Sequence, residues 1–533
     1  MAKKQLDPLT YEILWHRVDQ IIAEAYYTIS HVSGSAIVME VGDHQEALMN
    51  AKGDLALFGT GLVHWMPLLT GLVQKILRDY QENPGINEGD QFISNDVYTA
   101  ASHGPDVQLV APIFYRGELI AWAAAAAHQV DIGGIDPGGI MVRSTECYQE
   151  GLQFPAVKFV ERGIVRKDLS DFIRSSVRTP DFTMMEISAK IAANNIIRSR
   201  VIDLCEQYDL DTVLTLFDQM MESSSKMVSA KLEKIPDGKW RAVHYNEGIN
   251  PEKMPYYKIM GTLTKKGDSL IYDLTGSSPQ SPQSENTARA ATIGNLLGGY
   301  AVTLGHDVPF SSGLWKNINY ILPEGSIANP LRPAACSYTV PSGSGYTIET
   351  LGQKLIALML QSTEDKELRK ESSGVPGGAV HCPDIAGINQ YGEYAATQIM
   401  DGNAGGMGGL PDRDGDNTGG NMWCPKSSIC DVEMDEILYP ILCLYRREVP
   451  DTGGPGRFRG GNAFENAWIP WDTPDKLDWV GIGHGFEMRS STGVSGGYPA
   501  ANTSYMMLRN TDIREQWKKG KLPTRIEEIK GER

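Results

Sequence analysis

Paired thiols, membrane-length apolar runs and phosphate loops are all missing from this 533-residue chain. The seven cysteines (147, 205, 336, 382, 424, 430 and 443) are scattered, odd in number and without a Cys-x-x-Cys pair. This argues against a disulfide framework and against a thiolate zinc site. The longest uniformly apolar run, Leu119 to Ala127, falls far short of the ~20 residues that a membrane span needs. The start, MAKKQLDPLT, has two lysines but no apolar stretch behind them, so no secretory signal is expected and the chain reads as cytoplasmic. Positive charge is scarce as well. With 49 Lys and Arg against 66 Asp and Glu the net charge is −17, which disfavours nucleic-acid and anionic-membrane partners. There is no Gly-x-x-x-x-Gly-Lys loop, no His-Glu-x-x-His and no strand-linked Gly-x-Gly-x-x-Gly. The chain is therefore expected to have no nucleotide site of its own.

The composition, 41% hydrophobic and 22% charged, describes a globular protein with enough length for two to four structural units. Thr10 is placed to cap a first helix, whose apolar residues from Ile13 to Ile29 keep a helical period. Residues 36–60 predict two strands about Asn50–Asp54, and 184–232 predict a long helical stretch with a break at Tyr208-Asp209. Beyond Ile235-Pro236-Asp237-Gly238 the pattern turns to strands until about 290, and 286–305 reads as a helix. The glycine-rich stretch 371–422 reads as a tight buried loop system. Its Asp412, Asp414 and Asp416 do not make a calcium loop, because the glycine is misplaced and position twelve is Trp423. A second glycine cluster, 450–461, predicts close backbone approach. The divisions expected are 1–235, an N-terminal α+β region that holds the candidate metal-site hairpin, and 236–533, a β-rich and glycine-rich region, together one domain.

Chemistry concentrates at two copies of one pattern, His103-Gly104-Pro105-Asp106 and His128-Gln129-Val130-Asp131. Between them, 107–115 and 119–127 are apolar runs joined by Arg116-Gly117-Glu118, a hairpin signature. Pairing about that turn sets Asp106 opposite His128 and His103 opposite Asp131, within one residue. Imidazole and carboxylate groups from two distant stretches then meet at the open end of the hairpin, a ligand set for Zn, Mn or Fe. The blander reading, hydrogen-bonded strand-end histidines, stays open. The pattern also occurs a third time, at His381-Cys382-Pro383-Asp384.

Several motifs stand in order across nearly the whole chain. They are Asn95-Asp96-Val97-Tyr98 leading to His103-Gly104-Pro105-Asp106, then His128-Gln129-Val130-Asp131-Ile132-Gly133-Gly134, then Thr145-Glu146-Cys147-Tyr148-Gln149-Glu150-Gly151-Leu152. Asp273-Leu274-Thr275-Gly276-Ser277, Pro323-Glu324-Gly325-Ser326 and the segment Pro450–Gly461 follow. Together these motifs resemble the hydantoinase B family. The resemblance implies an α+β fold, a large β-rich body with flanking helices. It also implies a subunit that works with a hydantoinase A-type ATPase partner, where ATP and Mg would bind. Family activities are ATP-dependent ketone carboxylation, of the acetone and acetophenone type, and ATP-dependent hydrolysis of cyclic amides; a scaffold without catalysis is the third possibility. For carboxylases the partner would activate ketone and bicarbonate. The metal set implied is His103, Asp106 and His128, with Asp131 as a supporting or alternative ligand. Asp131 and Asp96 are the carboxylates expected in catalytic roles. Val97, Ala101, Ser102 and Gln129 depart from the common family pattern, and Ala127-His128-Gln129 is more similar to the carboxylase branch than to the hydrolases.

Overall fold

The computed structural model of the chain describes residues 5–59, 61–340, 343–377, 382–420, 422, 424–474, 476–489 and 491–533. The first helix, α1 (Pro8–Val32), starts earlier than its apolar period suggests. Asp7, not Thr10, is the cap: its carboxylate accepts from the Thr10 backbone N–H at 3.1 Å, and Pro8 fills a first-turn place where no N–H is needed. The short helix α2 (Ala36–Met39) leads into the hairpin β1 (His44–Asn50) and β2 (Leu55–Phe58). Helix α3 (Met66–Asp79) and strand β3 (Gln91–Ser94) precede the central hairpin, β4 (Asp106–Tyr115) and β5 (Glu118–His128). After β6 (Pro155–Glu161), β7 (Ile164–Val165) and α4 (Lys167–Ser176) come two long helices, α5 (Pro180–Tyr208) and α6 (Leu210–Glu233). The break between them is the one expected. Asp209 holds φ at +66°, a conformation no helix continues, and its side chain caps α6 by accepting from Thr212 N–H at 2.8 Å.

The seven strands form one antiparallel sheet in the order β2-β1-β5-β4-β3-β6-β7, with β5 and β4 central. Its two faces are both covered, which explains why β4 and β5 read as continuous apolar runs and not as alternating ones. Ala121, Ala123, Ala125 and Ala127 of β5 pack with Leu14 and Val18 of α1, Ile197 and Val201 of α5, and Leu216 of α6. The intervening Trp122, Ala124 and Ala126 face the other way, toward Leu68 and Leu72 of α3. The alternation of strand side chains thus assigns every residue of β5 to one of two layers.

That second layer is shared with the C-terminal half. Strands β8 (Gly238–Glu247), β9 (Tyr256–Lys266), β10 (Ser269–Asp273) and β11 (Ile318–Ile321) make a four-stranded sheet, with α7 (Arg289–Ala301) between β10 and β11 in sequence and α8 (Ser344–Gln361) following. Leu263, Tyr272, Leu296, Leu355 and Ile482 join Trp65, Leu68 and Trp122 in a single core. The division at 235 is therefore a change of strand pattern across one continuous core. Strands β12 (Asp384–Ile388), β13 (Tyr394–Gln398), β14 (Ile441–Val449), β15 (Ala463–Pro470) and β16 (Asp478–Val480) complete the α+β fold as two small sheets.

The glycine-rich stretches pack on one another as extended backbone. Gly374 N–H donates to Gly409 O at 2.8 Å, Met407 N–H to Asp416 O at 2.9 Å and Gly461 N–H to Met407 O at 2.8 Å. A Cβ on Gly408 would fall on the Gly374 carbonyl, and one on Gly461 on the Asp416 carbonyl. Close approach of backbones, as the sequence suggested, is the reason for glycine here. Trp423 and His381 lie outside the described residues.

Candidate metal centre

The hairpin turn is two residues long. Arg116 and Gly117 both hold positive φ, at 52° and 84°, as a tight turn matched to strand twist requires. Glu118 belongs to β5 and pairs with Tyr115. One irregularity between Ile113 and Phe114 shifts the register, and from there the pairing runs to Asp106 opposite His128. The two ends of the hairpin thus bring together groups 22 positions apart in sequence. His103, on the turn before β4, completes the group: a ligand atom from each of His103, Asp106 and His128 lies within 4.8 Å of the other two, and all three residues are buried.

Asp106 is the hub. His103 Nε2 is 3.0 Å and His128 Nδ1 3.5 Å from Asp106 Oδ1, and the Ser102 hydroxyl donates to Oδ2. Trp65 Nε1 in turn donates to Ser102 Oγ at 3.2 Å. Burial alone would raise the Asp106 carboxyl, but the charge and hydrogen bonds of the two histidines hold it well below the usual carboxylate range. Burial pushes the His128 imidazole down, against the pull of Asp106, which favours the neutral form that can ligate a cation.

The donor set fits a divalent ion. His103 Nδ1 and His128 Nε2 are buried and have no hydrogen-bond partner among the described residues, a costly state for imidazole nitrogens in an apolar interior. The three residues face a cavity of about 20 Å³, lined also by Asp43, Leu62, His64, Val340, Gln398 and Met400. That is room for one ion or one water. A second possible group, His306, Asp307 and Glu371, already carries a cation, since Lys231 Nζ lies 2.5 Å from Asp307 and 3.3 Å from Glu371.

Asp43 and His64 line the same cavity and were not picked out in the sequence. Asp43 arrives by register: β1 pairs antiparallel with β5, His44 opposite Ala127, so Asp43 falls beside His128 and its main-chain carbonyl accepts from the His128 backbone N–H at 3.1 Å. Its buried Oδ1 has no partner among the described residues, and burial, with Asp106 and Glu186 nearby, pushes its carboxyl well up. A signal did exist. Asp43-His44-Gln45-Glu46 puts four polar residues at the head of an otherwise apolar strand, and all four are buried. His64 sits in a one-turn helix before α3, and nothing in its local sequence marks it.

The two carboxylates expected in catalysis lie elsewhere. Asp96 accepts from Tyr98 N–H, Thr99 Oγ1 and Arg332. Asp131 accepts from Gly133 N–H, from Arg178 N–H at 2.7 Å and from the Arg178 guanidinium at 3.0 Å. Both tie loops together, and neither lines the cavity. Beyond the strand ends the hairpin rule no longer applies, so His103 turns toward Asp106 while Asp131 turns to Arg178. Of the third pattern, Asp384 is described; it accepts from Gln398, which does reach the cavity.

The model of the hydantoinase B/oxoprolinase family matches residues 7–532. The chain belongs to this family. Among family relatives, the acetophenone carboxylase delta subunit of Aromatoleum aromaticum is 28% identical over 535 residues, covering 99% of this chain and 77% of that one. In fold the chain is similar to acetone carboxylase in its nucleotide-free structure, with a TM-score of 0.89 at 23% identity over 96% of this chain and 68% of the other. It is also similar to the ATP-dependent caprolactamase of Pseudomonas jessenii, with a TM-score of 0.81 at 22% identity over 95% and 88%. The hydantoinase B/oxoprolinase fold thus occurs in proteins named for ketone carboxylation and in one named for opening a lactam.

Proposed function

We propose that this chain is the metal-bearing catalytic subunit of an ATP-dependent ketone carboxylase, which joins an activated enolate to carbon dioxide derived from bicarbonate. The observation that carries this reading is the enclosed cluster of His103, Asp106 and His128 at a cavity walled by Leu62, Val340 and Met400. Two imidazoles and a carboxylate suit Zn, Mn or Fe. A divalent cation held there supplies Lewis acidity to a developing oxyanion. Ser102 and Trp65 keep Asp106 in place, and the apolar wall excludes bulk water, which would quench a carbanion equivalent by protonation. The cavity has no room for a ketone, so substrate reaches the cluster only when part of that wall gives way. ATP and Mg are assigned to a hydantoinase A-type partner, because the chain has no phosphate-cradling loop. Gln129 after His128, where the hydrolase pattern has histidine, supports carboxylation over hydrolysis of a cyclic amide.

Bicarbonate dependence is the test. In the assembled complex, ATP turnover stimulated by acetone or acetophenone should require bicarbonate and yield the carboxylated ketone. Turnover with a lactam or hydantoin that ignores bicarbonate and opens the ring would replace this reading with the hydrolase one. Full product formation by a complex stripped of divalent metal other than Mg would reduce the chain to a scaffold.

A further inference from the structure

Two charged side chains are buried completely behind the metal centre. Glu186 and Lys190, one turn apart on α5, both have 0% exposure. Four positions along a helix put them on the same face, and that face packs on β4 and β5. Charges so placed contribute nothing to solubility and lose their hydration, so they persist only where partners compensate them.

Their shared partner is Gln129, the residue after His128. The Gln129 amide satisfies its surroundings in one orientation: its oxygen accepts from Lys190 Nζ at 2.5 Å, and its nitrogen donates to Glu186 Oε2 at 2.9 Å and to Thr183 O at 3.3 Å. Strand alternation explains the geometry. Ala126 and His128 face the cavity layer, so the next residue faces the α5 layer. Gln129 also reaches the first ligand segment, since its backbone N–H donates to Pro105 O at 2.9 Å. The outer end of the arrangement is fixed by the Ser35 hydroxyl, which donates to Glu186 Oε1. Ser35 caps α2, the helix that leads to Asp43 and so to the N–H of His128.

We propose that Gln129, Glu186 and Lys190 form a buried brace that fixes His128 relative to Asp106, which makes all three positioning residues for cation binding at the cluster. The proposal rests on the metal reading above. The brace links three segments, 35–43, 105–106 and 128–129, to α5. Burial pushes Glu186 up and Lys190 down, and each counters the other's shift; the amide between them suits either the charged or the neutral pair.

Co²⁺ is the probe, because its visible absorption reports ligand geometry apart from occupancy. The full chain would be titrated as wild type, Gln129→Met, Lys190→Met and the double variant, with a chelator competing and with circular dichroism and melting followed in parallel. Gln129→Met keeps the side-chain volume and removes only the amide, so a change in Co²⁺ binding by the folded variant reports the loss of those hydrogen bonds. Each single variant should bind Co²⁺ about 10- to 100-fold more weakly, the range seen when a group supporting a metal ligand is lost, with a shifted visible band. The double variant should lose less than the product of the two single losses, since Lys190 and Gln129 share one hydrogen bond. Wild-type affinity and spectrum in folded Gln129→Met would overturn the brace, and so would additive losses in the double variant. No stoichiometric Co²⁺ in the wild type would instead overturn the metal reading itself, and the brace with it.

Discussion

At the scale of single residues, the strongest expectation concerns His128. It comes from the far end of the hairpin, and its Nε2 has no other partner among the described residues. Elemental analysis should find about one divalent metal per wild-type chain and far less in His128→Ala, because losing one of three protein ligands weakens binding greatly. Equal metal in both preparations would remove the assignment. Asp106→Asn makes a sharper cut. The change is nearly isosteric, so Ser102 can still donate to the side chain, but it removes the anion that balances a bound cation. Substrate-stimulated ATP hydrolysis by the intact complex should persist, while product formation falls by at least ~100-fold. A parallel fall in both activities would place the centre in substrate activation instead.

At the scale of elements, loops that look alike in sequence turn out to be held by different forces. Glu150, in the motif 145–152, accepts from Cys336 and Ser337 N–H at 2.9 and 2.7 Å and from the Ser144 hydroxyl at 2.8 Å. It joins the N-terminal loops to the C-terminal half. Burial pushes its carboxyl up to about 7 from an ordinary 4.5, against those hydrogen bonds. Between these values the folded chain keeps a proton that the unfolded chain has lost, so the stability tied to this proton declines as pH rises through the window. At about 1.4 kcal/mol per pKa unit this is on the order of 3 kcal/mol. Melting curves of Glu150→Gln should accordingly show a flatter pH profile between 4.5 and 7 than the wild type; an identical slope would contradict the assignment. The glycine stack answers to sterics alone. Gly408→Ala should lower stability by about 1–3 kcal/mol, the usual cost of forcing a methyl into close-packed backbone, read as a drop in melting temperature.

At the scale of the molecule, the proposed function divides the chemistry between chains. The isolated chain should neither bind nor hydrolyse ATP with Mg, for want of a phosphate loop, and calorimetry on the purified chain should show no heat of binding. Micromolar affinity there would end the proposed division of labour. The continuous core across residue 235, where Trp122 and Leu355 share one cluster, predicts a single cooperative melting transition, and two resolved transitions would speak against it.

Local rules carried the sequence reading a long way. A tight turn and a period of two set Asp106 opposite His128 to within one residue, the irregularity at Ile113 and Phe114 settles the register, and a residue with positive φ parts α5 from α6 at Asp209. Ordered motifs were enough to place the chain in its family. Where the outcome depended on contacts distant in sequence, those rules had no purchase. His103 turns inward and Asp131 outward to Arg178, although both begin or end the same four-residue pattern. Asp43 and His64 come to the cavity from other elements, and Lys190 meets Gln129 across 61 positions. Periodicity assigns a side chain to a face. Which buried charge meets it there is decided only when the layers pack and every polar group in the dry interior has to find a partner.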